Sequence, residues 1–600
     1  MKARDRLSQP LLRRNGAQEA VSWQEALEHT VERLAAIRQQ YGPDAIAFLG
    51  SPLTTNEENY LLQKLARAIV GTNNVDSSAG PMTRAVSEAL RGAFGSEILP
   101  ADMTRLAGSK TLLVVADDLE SSHNVAALRI KDAVVREGAR LIVVSPHWGE
   151  LCDFAEVWLQ PRPGEEQAVL VSLLQALLIT SEEVKQRVER EAGLSARLAG
   201  EVPELSEQSR RSLARARDIL IDAVRDGGQQ QLSFVMAMPH LGEGYAGAVT
   251  TALANLAIAC LGEGAPAAFF ALPQESNVWG MRDVGVDPQL LPGYRKAGDG
   301  AARTDLERSW GAVLPASQGL SFREMLARCG DGLKALVVLN DNPMFAAAEK
   351  TAVKEALSKL DFLAVIDSLH TDTAQLAEAV LSDTGIYGKE GTVTNADRRV
   401  LRLHSATAPE GEAQPAWRIL GDLGQRLAAR LQTAEVRINF RDPAEIMEEM
   451  AELIPLYREC RYPEMENGRQ QHMEGIAAGQ ARLQAASAIK AGDSSGFLLS
   501  SGRTLYISYE GAAIHSAEAD KIHRDEFIEI NPADAKRLGI GNGTRVTLRN
   551  SRGELSLPAK LTEAVQPGML YVPLFHDGGA TAALFAEGEA YTSVDVLLAG

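Results

Sequence analysis

The sequence predicts an α/β protein with two doubly wound units and a C-terminal β-barrel. From Asp44 to about Leu431, short apolar runs alternate with helical stretches. These runs are continuously apolar, which is typical of parallel strands covered by helices on both faces. From Gly496 onward, apolar and polar residues alternate between turns rich in Gly and Asn, which indicates a small barrel.

Size and charge limit the class of protein. The chain has 600 residues, and at about 150 residues per domain this predicts roughly four domain-sized units. It carries 79 acidic and 61 basic residues, a formal net charge of −18. Because nucleic-acid phosphates require a basic face, this balance argues against a general nucleic-acid-binding protein. With 45% hydrophobic and 23% charged residues, the composition is that of a folded globular chain.

The first strand and helix carry the clearest local signals. A strand is predicted over 44–51 and a helix over 54–71. Thr55 at the N-cap and Glu58 three residues later form a capping box, and Gly71 ends the helix.

The same alternation continues along the body. Further strands are predicted at 111–118, 140–146, 232–239, 266–273, 335–343 and 362–369, and helices at 123–137, 165–178 and 246–262. The last of these helices is apolar but contains polar residues, and it falls short of the roughly 20 apolar residues of a membrane span. We therefore predict a buried core helix and no direct membrane insertion.

Functional loops are expected at one edge of each sheet, because ligands of such folds bind at the carboxyl ends of the strands. These ends are 50–51, 116–118, 145–147, 238–240, 340–343 and 367–370.

The C-terminal part begins with a connector. Residues 441–495 are rich in Glu, Arg, Gln, Met and Ala and show no strand pattern, so we predict helical or irregular structure. Within the barrel, strands are predicted at 503–509, 525–530, 544–550, 553–561 and 568–574, with a short helix at 531–539.

Generic motifs reveal no catalytic or metal site. The four cysteines are Cys152, Cys260, Cys329 and Cys460. They form no CxxC pair, so a local motif for zinc or a cubane cluster is excluded within this chain. His147 and His240, at strand ends, are interpreted as hydrogen-bonded loop residues rather than metal ligands. No apolar segment follows the basic start, so we predict a cytoplasmic protein that reaches a membrane only through partner subunits.

Several stretches resemble one known family. TTNEENYLLQKLARAIVGTNNVD (54–76) and GKEGTVTNADRRVLRL (388–403) are similar to segments of the molybdopterin-dinucleotide oxidoreductases. The similarity is strongest to the formate dehydrogenase alpha chain and to the subunit of NADH-quinone oxidoreductase that shares its fold. Further similar stretches lie at 6–27, 121–166, 276–294, 339–344 and 526–574.

The resemblance implies a domain organisation, with a C-terminal barrel of the double-psi type. The implied parts are an N-terminal arm (1–19), domain II (20–79 and 278–440), domain III (80–277), the connector (441–495) and a dinucleotide-binding barrel (496–600).

The resemblance also implies that the family's chemistry is lost. The family opens with an iron–sulfur domain, and this sequence begins after that point, so no cluster is expected in the chain. Met82 stands at the position of the metal-ligating Cys or selenocysteine, and Thr83 at that of the adjacent His. Pro273 stands, in ungapped register, at that of the oxyanion-binding Arg. A neutral thioether suits soft Cu(I) rather than oxidised Mo or W.

Binding of molybdopterin guanine dinucleotide is a separate question. The positions that match the family's contacts are Ser145, Pro163, Gly164, Glu166, Asn342, Thr371, Thr392, Asn395, Arg398, Gly502 and Arg503. Family members carry Asp where Ser145 stands, and Tyr506–His523 replaces a barrel loop rich in His and Thr. In the interpretation we favour, these loops persist for the fold alone, GTVTN is only a turn, Arg398 and Arg399 are a surface pair, and the chain holds no cofactor.

Three functions therefore stand as hypotheses. The first, which we predict, is a non-catalytic subunit of a multisubunit electron-transfer complex that scaffolds iron–sulfur and NADH- or flavin-linked subunits. The second is an active Mo or W oxidoreductase similar to formate dehydrogenase, with Asp76, Ser77 or Ser78 as an unusual metal ligand or with no protein ligand to the metal. The third is a pterin- or nucleotide-binding carrier. Metal content separates the first from the second, and partner subunits separate the first from the third.

Overall fold

The structure is a computed structural model. It describes residues 6–100, 102–117, 119–189, 207–225, 231–237, 242–346, 350–433, 435–471, 481–485, 496–502, 527–573, 581–586 and 588–598. The chain divides into two compact units. Unit 1 comprises Met1–Pro81 and Glu275–Met473, and unit 2 comprises Met82–Gln274 and Glu474–Gly600.

The strands of the described residues are β1 Leu11–Arg14, β2 Ala17–Ala20, β3 Ile46–Leu49, β4 Val75–Asp76, β5 Thr111–Val115, β6 Arg140–Val144, β7 Val157–Leu159, β8 Leu232–Ala237, β9 Phe269–Leu272, β10 Leu290–Leu291, β11 Arg295–Lys296, β12 Ala335–Leu339, β13 Phe362–Asp367, β14 Ala379–Ser382, β15 Gly391–Thr394, β16 Arg399–Leu403, β17 Arg469–Gln470, β18 Phe497–Gly502, β19 Ile528–Ile530, β20 Arg545–Arg549, β21 Glu554–Leu561, β22 Met569–Pro573 and β23 Tyr591–Leu598.

The α-helices of the same residues are α1 Trp23–Tyr41, α2 Asn56–Lys64, α3 Gly80–Phe94, α4 Met103–Gly108, α5 Leu119–Ser122, α6 Asn124–Glu137, α7 Leu151–Phe154, α8 Glu166–Thr180, α9 Glu182–Glu189, α10 Glu207–Arg225, α11 Glu243–Leu261, α12 Val278–Asp283, α13 Gly300–Trp310, α14 Phe322–Arg328, α15 Pro343–Ala346, α16 Lys350–Leu357, α17 Asp372–Leu376, α18 Ala416–Leu431, α19 Pro443–Leu453 and α20 Pro532–Leu538.

Unit 1 contains a seven-stranded sheet in the order β2-β1-β14-β13-β12-β3-β4. The strands from β14 to β4 are parallel, and β1 joins β14 antiparallel. In the central strand β12, Val337 pairs with Phe48 on one side and Ala364 on the other. Every residue of β12 is buried, which explains its uninterrupted apolar sequence.

Unit 2 contains a fully parallel five-stranded sheet and the barrel. The strand order is β7-β6-β5-β8-β9. From β5 the chain first adds β6 and β7 on one side and then β8 and β9 on the other, as in a doubly wound fold. The barrel closes six strands in the order β18-β22-β19-β21-β20-β23. The predicted fold class, α/β units with a C-terminal barrel, is confirmed.

The first predicted helix has the expected ends. The Thr55 side chain accepts the Glu58 backbone N–H, and the Glu58 carboxylate accepts the Thr55 backbone N–H, so the capping box is present. The helix continues as a wider π turn over Leu65–Val70 and ends at Gly71, whose positive φ of 89° favours glycine.

Helix α11 is a core helix, as predicted. Among the described residues, the stretch Glu243–Ala268 is long and apolar enough to cross a membrane by composition, but 72% of its most apolar window is buried inside the protein. A bent pair of helices, α8 and α9, passes the same test only if taken together.

Two expectations about the C-terminal part need correction. The connector was expected to contain no strand, but β17 pairs with β16 in a three-stranded sheet of unit 1. The barrel also includes β18 and β23, which the alternation pattern does not reveal. The strand predicted at 503–509 lies outside the described residues.

Candidate functional site

The residues at the implied catalytic positions are buried and carry no charge. Met82 and Thr83 lie in the first turn of α3, and both are buried. Pro273 follows β9, and its carbonyl accepts a hydrogen bond from Nε2 of His123 at 2.7 Å. Since a carbonyl only accepts, this His123 nitrogen carries the proton. The position of the implied oxyanion-binding Arg is thus occupied by an apolar ring and an acceptor.

The alternative metal ligands in unit 1 are already engaged. A carboxylate oxygen of Asp76 accepts the Phe322 backbone N–H at 2.6 Å. The Ser77 hydroxyl accepts the Ala79 N–H at 3.2 Å. These bonds fix the loop between β4 and α3.

Ser78 binds a second buried carboxylate. Its hydroxyl donates to Asp341 Oδ1 at 2.7 Å, and its backbone N–H donates to Oδ2 at 3.0 Å. The pKa of Asp341 is raised to about 6, mainly by burial and also by the nearby Asp76, while the two Ser78 bonds oppose the rise.

Asn342 and Thr371 lie at the carboxyl ends of the neighbouring strands β12 and β13. The Thr373 hydroxyl donates to Asn342 Oδ1 at 2.6 Å. The Thr371 hydroxyl accepts the Ala374 N–H at 3.2 Å and caps α17. Both side chains make hydrogen bonds within the fold, and their role in cofactor binding stays a prediction.

The GTVTN segment forms strand β15, so the expectation of a mere turn is wrong. Thr392 donates to the buried Glu57 carboxylate through its backbone N–H at 2.8 Å and its hydroxyl at 3.0 Å. The Tyr462 hydroxyl adds a third bond at 2.9 Å. Burial nevertheless raises the pKa of Glu57 to about 7, with these bonds opposing it. Asn395 accepts the Arg399 N–H and shapes the following hairpin.

Arg398 is also not the surface residue that the favoured interpretation expected. It is 4% exposed and lies in the left-handed region at φ 60°. Its guanidinium pairs with Asp283 Oδ1 at 2.6 Å and stacks 4.6 Å from the centre of the Trp279 ring. The Tyr294 hydroxyl donates to the same Asp283 oxygen at 2.7 Å. The charge is therefore neutralised inside unit 1.

A buried ion cluster was missed by sequence reasoning. Lys389 Nζ lies 2.9 Å from Glu58 and 2.6 Å from Asp383, and all three side chains are buried. Its two carboxylate partners raise the pKa of Lys389 against the opposing effect of burial. The only sequence signal was Glu58 in its capping box, because no local pattern connects residues so far apart.

In unit 2, Ser145 and His147 follow strand β6. The Ser145 hydroxyl donates to the His147 carbonyl at 2.5 Å. His147 Nε2 lies 2.7 Å from a Glu529 oxygen of the barrel, and the ring stacks on Tyr571 at 4.2 Å. Lys560 holds the other Glu529 oxygen at 2.9 Å. His147 is thus a hydrogen-bonded loop residue, as predicted.

Pro163, Gly164 and Glu166 form the loop at the start of α8. Gly164 has φ 91°, and a Cβ added there would overlap the ring tip of Tyr591 from the barrel. Its N–H donates to Glu166 at 2.7 Å. The pKa of Glu166 is raised to about 8 by burial and by the nearby Asp117, and a bond from Tyr245 opposes the rise.

Gly502 ends β18 opposite Pro573, and a Cβ there would lie 2.7 Å from the Tyr571 hydroxyl. Arg503, the Tyr506–His523 loop and His240 lie outside the described residues.

The side chains available as ligands determine which metal or cofactor the protein can hold. Among the described residues, no group of three or more His, Cys, Asp and Glu side chains is arranged to hold a metal ion. Burial raises the pKa of the Cys260 and Cys460 thiols to about 12 and that of Cys329 to about 11, so thiolates are disfavoured. At the implied ligand position itself, the neutral thioether of Met82 does not fit oxidised Mo or W. A dinucleotide at Gly164 would require the Tyr591 ring to move.

The fold and these loops define a class of protein. Residues 6–426 match the molybdopterin oxidoreductase family, and residues 497–593 match the molydopterin dinucleotide binding domain. The chain belongs to the molybdopterin oxidoreductase family.

Its relatives are redox proteins by name. The chain is 29% identical to the probable oxidoreductase YjgC of Bacillus subtilis, over 98% of this chain and 62% of that protein, so it spans less than two thirds of this relative's length. It is 28% identical to the F420-dependent formate dehydrogenase 1 subunit alpha of Methanococcus maripaludis (95% and 86% covered). It is 30% identical to the NADPH-Fe(3+) oxidoreductase subunit alpha of Geobacter sulfurreducens (99% and 68% covered).

A solved structure shows the same fold. Acetylene hydratase from Pelobacter acetylenicus superposes with a TM-score of 0.71 at 18% identity, covering 97% of this chain and 88% of that one.

Proposed function

We propose that this chain is a non-catalytic subunit of a multisubunit electron-transfer complex, in which it scaffolds iron–sulfur and NADH- or flavin-linked subunits. The proposal rests on the side chains of the loop before α3 and of the first turn of α3. Asp76, Ser77 and Ser78 use their side-chain oxygens within the fold, and Met82 offers a neutral thioether. Two relatives are named as alpha subunits of redox enzymes, which supports a place in such a complex.

An active Mo or W enzyme that uses one of these oxygens as its metal ligand would weaken the hydrogen bonds that this oxygen now makes. Release of Ser78, for example, would leave the buried Asp341 carboxylate without two of its donors. Stranding a buried charged acceptor costs at least about 1–3 kcal/mol. This cost favours the scaffold over unusual ligation.

One observation favours a second candidate. Residues 497–593 match a dinucleotide-binding domain, so the chain could retain a metal-free pterin dinucleotide as a structural group or carry it between proteins. The covering of Gly164 by Tyr591 argues against this candidate at the unit 2 loop.

The test is elemental analysis for Mo and W, with pterin fluorescence after oxidation, on the tagged chain purified from its native host. We expect neither metal nor pterin, together with co-purifying subunits that carry iron–sulfur clusters and flavin. Near-stoichiometric metal would overturn the proposal, and pterin without metal in a partner-free chain would favour the carrier.

A further inference from the structure

Helix α6 of unit 2 is apolar on two opposite faces. Its inner face buries Ala126, Ala127, Ile130 and Ala133. On its outer face, the exposed fraction is 65% for Val125, 52% for Leu128 and 68% for Val135. Spacings of three and seven residues place these three side chains along one side of the helix, and Asp132, four residues after Leu128 and three before Val135, lies among them on the same side.

The exposed valines of α6 do not stabilise the helix itself. Valine has a low helix propensity because its branched side chain loses rotamer freedom. Elsewhere, Ile179 and Val313 are exposed singly, and single exposed apolar residues need no explanation. Three on one helix face, two of them poor helix formers, indicate a surface that is covered in the functional assembly.

The charge beside the stripe specifies what covers it. Arg129 and Arg136 flank it, one heptad apart, on the solvent side. Arg136 is partly offset by Asp132 at 3.3 Å, whereas Arg129 makes no ion pair with any described residue. Lys131 is directed instead to Glu150 at 2.8 Å. With Asp132 set against Arg136 and Glu150 against Lys131, this flank keeps the single positive charge of Arg129.

We propose that the outer face of α6 is the docking surface for a partner subunit that presents an apolar helix face flanked by carboxylates. The inference rests on the proposed function, because it names the surface through which the scaffold holds one of its partners. Carboxylates on the partner complement Arg129 and Arg136, while the apolar stripe provides the buried contact. A second copy of this chain fits less well, since it would present the same basic flank.

The first experiment uses a defined probe and the full chain. A fluorescent amphipathic helical peptide with Leu on one face and Glu on its flanks is compared with the same peptide carrying Lys flanks. We expect the Glu peptide to bind at least tenfold more tightly than the Lys peptide. The double variant Leu128→Glu/Val135→Glu should lose this binding, Arg129→Glu should weaken it at least threefold, and the matched control Ile179→Glu should leave it unchanged. Equal binding of both peptides, or binding that survives the double variant, would overturn the inference.

The second experiment purifies the same tagged variants from the native host. We expect the wild type and Ile179→Glu to retain a cluster- or flavin-bearing subunit, and the double variant to lose at least nine-tenths of it. Melting temperatures within a few degrees of the wild type would show that all variants fold.

Metal in the wild type, with partner retention still dependent on α6, would overturn the non-catalytic function but support the docking surface. Retention by the double variant would overturn the docking surface alone. If the wild type is a homodimer and the double variant is a monomer, the face binds a second copy of this chain. This result would overturn the proposal of a partner subunit.

Discussion

The carboxylate of Glu57 lies wholly inside unit 1, where Thr392 donates to both of its oxygens at 2.8 and 3.0 Å. The two residues are 335 positions apart in the chain. Their contact ties helix α2 to strand β15, and it places an acid with a pKa raised to about 7 in the core.

This acid makes stability depend on pH. The folded protein holds a proton on Glu57 up to about pH 7, whereas the unfolded chain releases it near 4.5. Stability should therefore fall as the pH rises from about 4.5 to about 7. Glu57→Gln should remove roughly 3 kcal/mol of that pH dependence, because its amide stays neutral throughout. Thermal melts at pH 5 and pH 8 measure the effect, with the exposed Glu19→Gln as control. An unchanged slope in Glu57→Gln would contradict the assignment.

The buried cation of Lys389 should stabilise the fold strongly. Lys389→Met leaves Glu58 and Asp383 buried without their counter-charge, so we expect a loss of about 3–5 kcal/mol in the free energy of unfolding. Lys110→Met removes an exposed pair with Glu137 and should cost less than about 1 kcal/mol. Urea unfolding of the two variants gives the comparison, and equal costs would show that the buried cluster contributes little.

The Ser78 hydroxyl should act on Asp341 rather than on a metal. Ser78 donates to the charged form of Asp341, so Ser78→Ala should raise the pKa of Asp341 above its present value of about 6. The variant should lose about 1–2 kcal/mol above that pH and less below it, because the protonated acid needs the donor less. Melting temperature across pH 5–8 is the measurement, with the exposed Ser405→Ala as control. A loss of bound Mo or W on Ser78→Ala would instead identify Ser78 as a ligand.

The contact between Gly164 and Tyr591 should tolerate no side chain. Gly164→Ala combines a positive φ of 91° with overlap against the Tyr591 ring, so we expect a loss of about 2–4 kcal/mol. Gly138→Ala also has a positive φ but meets no neighbour within 4 Å, and it should cost only about 1 kcal/mol. If a dinucleotide displaces Tyr591 in solution, the two variants will melt alike.

The sequence by itself determined the order of the elements. Continuous apolar runs predicted the parallel strands, because burial on both faces leaves no room for polar residues. The capping box of Thr55 and Glu58 was recognisable because its contacts span three residues. The resemblance, carried by local segments, was sufficient to identify the family. The same local segments placed Met82, Thr83 and Pro273 at its catalytic positions, and that placement stays a prediction.

Only the tertiary structure decided where the charges lie. Lys389 meets Glu58 across 331 residues, and Arg398 is buried against Asp283 rather than exposed. Periodicity cannot reveal such pairs, since a charge is stable in the core only when packing brings a distant partner within reach. The outer face of α6 follows the same logic, because the exposure of Leu128 depends on which side of the helix the rest of the fold covers.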